Sequence, residues 1–360
     1  MNAITRKTTG LAVLAAVGAL VLAGCSGTPS APVTPGGSAA LTSSDTLTVV
    51  THDSFSLTDA AKAQFANETG YKVTYIAPGD AGTVVNQLIL TKDSPLGDVV
   101  YGIDNTFAGR AIDAGVLSPY ASPALPAGAS AYAVDGSAML TPIDYGDVCV
   151  NADDGWFAAH GLALPVTLDD LAKPEYKGLL VVPNPATSSP GLAFLIATVG
   201  AKGDPGYLDY WKALKANGVE VVDGWTQAYD VEFSGSSGKG PKPLVVSYSS
   251  DPSSEIGADG KPTTSILPQT CFRQVEYAGV IQGASNAVGA RKFIDFMLSN
   301  LVQSQIPAQM YMSPVDPNAA VPADWTKFTS AVTSPIQVPA SEISAKRDTW
   351  IQDWTNTVVG

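Results

Sequence analysis

The chain has 360 residues, 45% of them hydrophobic, and carries 33 Asp and Glu against 20 Lys and Arg, a formal net charge of −13. That length suits two lobes of ordinary domain size. So acidic a chain argues against a nucleic-acid partner and mildly favours cationic ligands, although solubility alone accounts for the charge.

Arg6 and Lys7 precede an uncharged apolar run, Leu11 to Leu22. The run is shorter than the roughly 20 residues of a spanning helix, so residues 1–24 read as a secretory signal. It ends in Leu22-Ala23-Gly24-Cys25, the pattern of a bacterial lipobox. Cleavage before Cys25 would leave a thiol for lipid attachment, holding the exported chain at the outer face of the cytoplasmic membrane. Residues 26–45 are rich in Ser, Thr, Pro, Gly and Ala and hold almost no large apolar side chain. They are expected to form, with Cys25, a flexible tether. No later stretch reaches transmembrane length. Cys149 and Cys271 remain, both in strand-like segments near the expected hinge. An even pair in an exported chain suggests a disulfide, the alternative being two buried thiols.

The first cycle of elements reads as strands at 47–51, 71–76 and 98–102, with helices at 59–68, 83–90 and 105–114. The second has strands at 145–150, 178–182, 219–222 and 244–248. Its helices fall at 190–199 and 207–216. Pro190 sits in the first turn of the earlier one, with Ser188 or Ser189 as its cap. A long strand, 271–281, is expected to run between lobes, followed by helices at 287–298 and 341–357. Such alternation predicts an α/β chain of two lobes, each a mainly parallel sheet flanked by helices.

Open parallel sheets bind ligands beyond the carboxyl ends of their strands. The residues there are Thr51 to Ser54, Gly79 to Ala81, Gly102 to Asn105, Ile143 to Tyr145, Thr187 to Ser189, Asp223 to Trp225 and Tyr248 to Ser250. They supply carboxylates, hydroxyls and aromatic rings, without Lys or Arg, a lining suited to a flat organic cation. Any single Asp among them could equally be a helix cap. Two histidines, His52 and His160, and the absence of HExxH or GxSxG leave no basis for common hydrolase chemistry. Gly235 to Gly240 (G-S-S-G-K-G) lacks the spacing of a phosphate loop and reads as a mobile hairpin tip. No catalysis, metal or cofactor is expected.

The segments T-H-D-S-F (51–55), D-V-V-Y-G-I-D-N (98–105), P-I-D-Y-G (142–146), N-P-A-T-S-S-P-G-L (184–192), D-G-W-T-Q-A-Y (223–229), L-V-V-S-Y-S-S-D-P (244–252), Q-V-E (274–276) and I-P-A-Q-M-Y-M-S-P-V (306–315) resemble the periplasmic thiamine-binding proteins of bacterial ABC importers. The likeness runs from Thr46 to about Trp354. It implies a type II clamshell related to ferric-ion and polyamine binders. One lobe would comprise 46–142 with 275–320, the other 143–274 with 321–360. Ligand would sit in the cleft of a monomer, and closure would present the protein to its permease.

Carried over position by position, the resemblance implicates Asp53, Ser54, Asp80, Asp104, Ser188, Trp225, Tyr229 and Tyr248. His52 and Tyr311 stand where the family usually has Tyr and Trp. Trp225 or Tyr248 would stack on a thiazolium, and Asp53 or Asp80 would balance its charge. The helix start at 188–191 would face a hydroxyethyl arm or its phosphate. Ser254 replaces a usual aromatic, Ala186 a usual Arg, and a Trp of the first loop is missing, so the aromatic clamp is thinner. A pyrimidine precursor or a polyamine therefore stands as an alternative ligand. A ferric ion does not, because the Tyr-Tyr pair of those relatives is absent from this sequence. A structural surface lipoprotein is the reading outside transport.

Overall fold

A computed structural model describes residues 42–134 and 136–360. The signal, Cys25 and most of the tether lie outside the described residues. Three parallel strands open the fold: β1 (Thr46–Thr51), β2 (Lys72–Ile76) and β3 (Val99–Asp104). They are connected by α1 (Asp59–Thr69) and α2 (Ala81–Leu90). The ends of α1 follow local chemistry. The Thr58 side chain accepts from the Ala61 N–H, and Gly70, at φ 75°, returns its N–H to the Ala66 carbonyl.

After β3 come α3 (Ala108–Asp113), β4 (Leu117–Ser118) and the long β5 (Thr141–Asp153). A second parallel wing follows. It contains α4 (Asp154–His160), α5 (Leu168–Leu171), β6 (Leu180–Pro183), α6 (Ser189–Lys202), α7 (Gly206–Ala216), β7 (Glu220–Val222) and β8 (Leu244–Tyr248). The longest strand, β9 (Thr264–Ile281), returns through the middle. The chain ends with α8 (Ala287–Met297), α9 (Asn300–Gln303), α10 (Ile306–Met310), β10 (Ser313–Pro314), α11 (Ala323–Phe328) and α12 (Ala340–Val358). Among the described residues no helix is long and apolar enough to cross a membrane.

The strands form one continuous mixed sheet in the order β2-β1-β3-β9-β5-β8-β6-β7, with β10 on β5 and β4 on β9. Each wing is parallel, as its alternating sequence implies. The wings share two antiparallel strands, β5 and β9, that cross from one to the other. The register of that pair jumps from Val148↔Phe272 to Val150↔Leu267, so residues 268–271 bulge opposite Cys149. Cys149 and Cys271 are joined there, S–S 2.01 Å, tying the two crossing strands together.

Helix α6 is buried from Ser189 to Val199, which is why its sequence is apolar on every face. Helix α12 is amphipathic and seats Trp354 edge-on against Trp211 of α7, ring centroids 5.4 Å apart.

Four local expectations need correction. The helix expected from Asn105 begins only at Ala108, because the Asp104 carboxylate accepts the Thr106 and Phe107 N–H groups and the Asn105 side chain bonds the Arg273 carbonyl. The crossing strands are longer than their apolar cores suggested, β5 starting at Thr141 and β9 at Thr264. The end of the expected tether is docked: Thr42 Oγ1 donates to the Ala284 carbonyl at 2.6 Å, and the Asn286 amide donates to the Ser44 carbonyl at 3.0 Å. Finally, the 235–240 loop is packed rather than free. The buried Ser236 hydroxyl donates to the Tyr229 carbonyl, and a Cβ on Gly238 would lie 1.7 Å from the Asp230 oxygen.

Candidate functional site

The carboxyl ends of the strands in both wings face a common cleft, and in this structure the cleft is closed. Asp80 caps α2 through the Ala81 N–H at 2.6 Å, and its second oxygen accepts the Trp225 backbone N–H of the other wing at 3.0 Å. The N–H groups of Gly82 and Thr83 donate to the Thr187 carbonyl at 2.9 and 3.3 Å. Only glycine permits this approach, since a Cβ at position 82 would lie 2.8 Å from the Ala186 oxygen. The Ser189 hydroxyl donates to Asp104 across the same seam.

Behind this seam lies a cavity of about 30 Å³ lined by His52, Ser54, Trp225, Tyr248, Glu276, Gln309, Met310, Tyr311 and Met312. It has an aromatic wall. Trp225 lies face to face with Tyr229, centroids 5.1 Å apart and planes within 11°. Tyr311 is 5.8 Å from Trp225 and Tyr248 is 6.2 Å from it. The indole is fixed by its N–H to the Ser247 hydroxyl at 2.8 Å, and the Tyr229 hydroxyl donates to Glu255 at 3.0 Å. A π-helical turn, Gln227–Glu232, begins two residues after Trp225 and turns Tyr229 back under the indole. Tyr311 ends α10 in the left-handed region, φ 58°, a conformation that few non-glycine residues adopt and that is held here at the cavity wall.

The floor is acidic. Asp144 of β5 and Glu276 of β9 are direct cross-strand partners. The Tyr101 hydroxyl lies 2.6 Å from Asp144 Oδ2 and 2.8 Å from Glu276 Oε2. With one proton, Tyr101 can donate to only one carboxylate and must accept from the other. Burial and the neighbouring Glu276 push Asp144 upward, which makes it the protonated member. Burial opposes ionisation of Glu276 most strongly, but the charge of His52 beside it and the Tyr101 hydroxyl bond together hold this carboxyl below its ordinary value. Its other oxygen accepts from Gln274 Nε2 at 3.0 Å, and the same amide reaches the Tyr248 hydroxyl at 3.0 Å.

His52 sits over this floor, Nε2 3.5 Å from Glu276 Oε2 and Nδ1 2.9 Å from the Ser54 hydroxyl. Burial lowers its affinity for a proton, yet the charges of Glu276, Asp80 and Asp53 outweigh burial and raise it above 6.5. The ring fits because position 102 is glycine, at φ 96°; a Cβ there would lie 2.0 Å from the imidazole.

Of the ten positions singled out in the sequence, His52, Ser54, Trp225, Tyr248 and Tyr311 line the cavity. Tyr229 backs the indole, and Asp80 closes the mouth. Asp53 is exposed at the rim. Asp104 and Ser188 do not reach the cavity: Asp104 bonds Ser189 across the seam, and Ser188 caps its own helix through the Gly191 N–H. Ser254 is exposed just beyond a short turn at 251–253 and lines nothing here. Sequence reasoning included Asp144 among the expected lining residues but passed over Glu276 as its floor partner. The available signal was an acid at the head of the apolar run Tyr277 to Ile281 of a central strand, a burial whose cost must be met by a partner. A larger groove of about 580 Å³ lies between α3 and α12. Its Arg347 lies over the Phe107 ring and is paired with Asp348, and its lining holds no tyrosine or tryptophan to stack on a flat cation.

Residues 94–332 match the family described as bacterial extracellular solute-binding protein. The chain belongs to that family. The thiamine-binding periplasmic protein of Escherichia coli is 28% identical over 323 residues, 87% of this chain and 93% of that protein. A solved periplasmic thiamin binding protein superposes with a TM-score of 0.75 at 26% identity, covering 91% of this chain and 99% of that one. A ferric binding protein from Campylobacter jejuni has a TM-score of 0.67 at 18% identity over 86% of this chain, a likeness of fold alone. The type II clamshell expected from the sequence is therefore the fold of this solute-binding protein, and its relatives are binding proteins rather than enzymes.

Proposed function

We propose that this solute-binding protein captures thiamine, or a close analogue or phosphate of it, and delivers it to an ABC permease while tethered to the membrane by a lipid on Cys25. The observation that carries the reading is the pairing of an aromatic wall (Trp225, Tyr248, Tyr311) with a carboxylate floor (Glu276) in one buried interlobe cavity. A thiazolium is flat and permanently cationic. Stacking on an indole offers it about 2 kcal/mol when desolvated, and a buried carboxylate balances its charge. The similarity to thiamine-binding proteins of two organisms supports the same ligand. The present cavity is smaller than any such ligand, so binding requires the Asp80–Trp225 and Asp104–Ser189 seam to part and close again around it.

Calorimetric titration of the mature protein with thiamine, beside its pyrimidine precursor and spermidine, tests this. Tight binding of thiamine alone is expected. Preference for the precursor or for spermidine would keep the transport role and move the substrate. Binding of none would overturn the reading. Labelling of exported protein with radioactive palmitate, lost in Cys25→Ala, tests the anchor.

A further inference from the structure

Glu276 is an anion in a sealed site, and an uncompensated buried charge costs several kcal/mol. Among the described residues its cationic neighbour in the closed structure is His52, 3.5 Å away. Both are buried, and both border the cavity in which a cationic ligand would lie. Among the described residues the other titratable groups around the imidazole are acidic or phenolic: Asp53 after β1, Asp80 at the start of α2, Tyr101 on β3 with its ring 5.4 Å away, Asp144 of β5 through the Tyr101 hydroxyl, and Tyr248 and Tyr311 on the cavity wall. A second fixed cation beside a charged imidazole would be repelled. A fixed cation beside a neutral imidazole would leave Glu276 balanced.

We infer that His52 is a built-in surrogate cation, and that the site exchanges the His52 proton for the positive charge of its ligand. Glu276 is thus a specificity-determining residue, selecting ligands that bring a positive charge into the cavity. This rests on the functional reading above. The geometry provides for both states. When His52 is charged, Nδ1–H donates to Ser54 and Nε2–H faces Glu276. When it is neutral, the Ser54 hydroxyl rotates to donate to Nδ1, and Nε2–H still faces Glu276. The proton leaves to solvent as the lobes part, so the buried charge sums to the same value before and after binding.

The sign follows. Below the raised titration point of His52, the ligand must displace a proton and binds more weakly. Affinity then climbs with pH and levels off once the free protein carries a neutral imidazole, in a window beginning near 6.5 and extending above it. Asp104, pushed by burial to about 7, titrates in the same range and pulls in the same direction. It must therefore be separated experimentally.

Thiamine is titrated calorimetrically from pH 5.5 to 8.5 in buffers of different ionisation enthalpy, which counts protons released on binding. The wild type should release about one proton per thiamine at pH 6, with affinity rising up to about tenfold per pH unit below the plateau. Release should persist in Asp104→Asn and vanish in His52→Tyr. In the empty protein, NMR titration of the imidazole should place His52 above 6.5, and Glu276→Gln should bring it below. Binding without proton release, or unchanged release in His52→Tyr, overturns the exchange while leaving the functional reading intact. Absence of thiamine binding at every pH overturns both.

Discussion

Asp80 and Trp225 meet across the cleft: one oxygen of the carboxylate caps α2, and the other accepts the Trp225 backbone N–H at 3.0 Å. A single side chain therefore joins the start of a helix in one wing to the aromatic wall of the other. Asp80→Asn keeps an acceptor for one of the two N–H groups but removes the charge, whereas Asp80→Ala removes cap, latch and charge together. Hydrogen bonds to charged groups are worth about 1.5–3 kcal/mol. Asp80→Ala should therefore weaken ligand binding by about tenfold to a hundredfold, with Asp80→Asn in between, as measured by titration calorimetry. Equal affinity in all three proteins would remove Asp80 from the closing mechanism.

Trp225 is only 7% exposed, so truncation to alanine would damage the fold as well as the site. Trp225→Phe is the cleaner test. It retains a stacked ring on Tyr229 and loses the better cation–π face and the bond to Ser247. Affinity should fall about tenfold, equivalent to about 1.4 kcal/mol, with a smaller loss of melting temperature in the empty protein than Trp225→Ala produces. Unchanged affinity would contradict the stacking role.

Much of the fold was legible because it follows local rules. Thr58 and Gly70 bracket α1, Pro190 follows the Ser188 cap, and the parallel wings read as alternating apolar strands and helices. The aromatic wall was legible because Trp225 and Tyr248 lie at or just beyond strand ends. The acidic floor was legible only in part: Asp144 stood among the expected lining residues, and Glu276 did not. Glu276 sits mid-strand in β9, which crosses between the wings antiparallel to its neighbours, so a search beyond the carboxyl ends of parallel strands misses it. Asp104 and Ser188 show the opposite failure. Asp104 ends β3 and Ser188 follows β6, but which of them faces a ligand and which a helix cap or the opposite wing depends on how the lobes close. That is a long-range property that no local pattern encodes.

The disulfide joins β5 and β9 at their bulge, across a sequence separation of 122 residues. Protein recovered after export should present no alkylatable thiol among these two cysteines. Paired Cys149→Ser and Cys271→Ser substitution should cost about 2–5 kcal/mol, seen as a lower urea midpoint. Two reactive thiols in the exported wild type would contradict the bond.

Asp251 is buried beneath the aromatic wall, where its Oδ2 accepts the Tyr248 N–H at 3.1 Å. Burial pushes its carboxyl up to about 8. A carboxyl raised in the folded state contributes stability that is fully present below the unfolded value near 3.8 and is lost as pH rises through about 8. Melting temperature should accordingly decline across that window, with Asp104, at about 7, adding to the slope. Asp251→Asn should flatten the decline. A wild-type profile rising steadily to pH 8, or an identical slope in the variant, would contradict this assignment.

The account stands or falls on where the ligand lies, and a crystal structure of the mature protein with thiamine measures that directly. The thiazolium should lie in the interlobe cavity, stacked against Trp225 or Tyr248, with Glu276 as its nearest carboxylate from β9 and His52 at its edge. Ligand lodged in the groove between α3 and α12, or a cleft that closes on Asp80 and Trp225 with no thiamine inside, would contradict it.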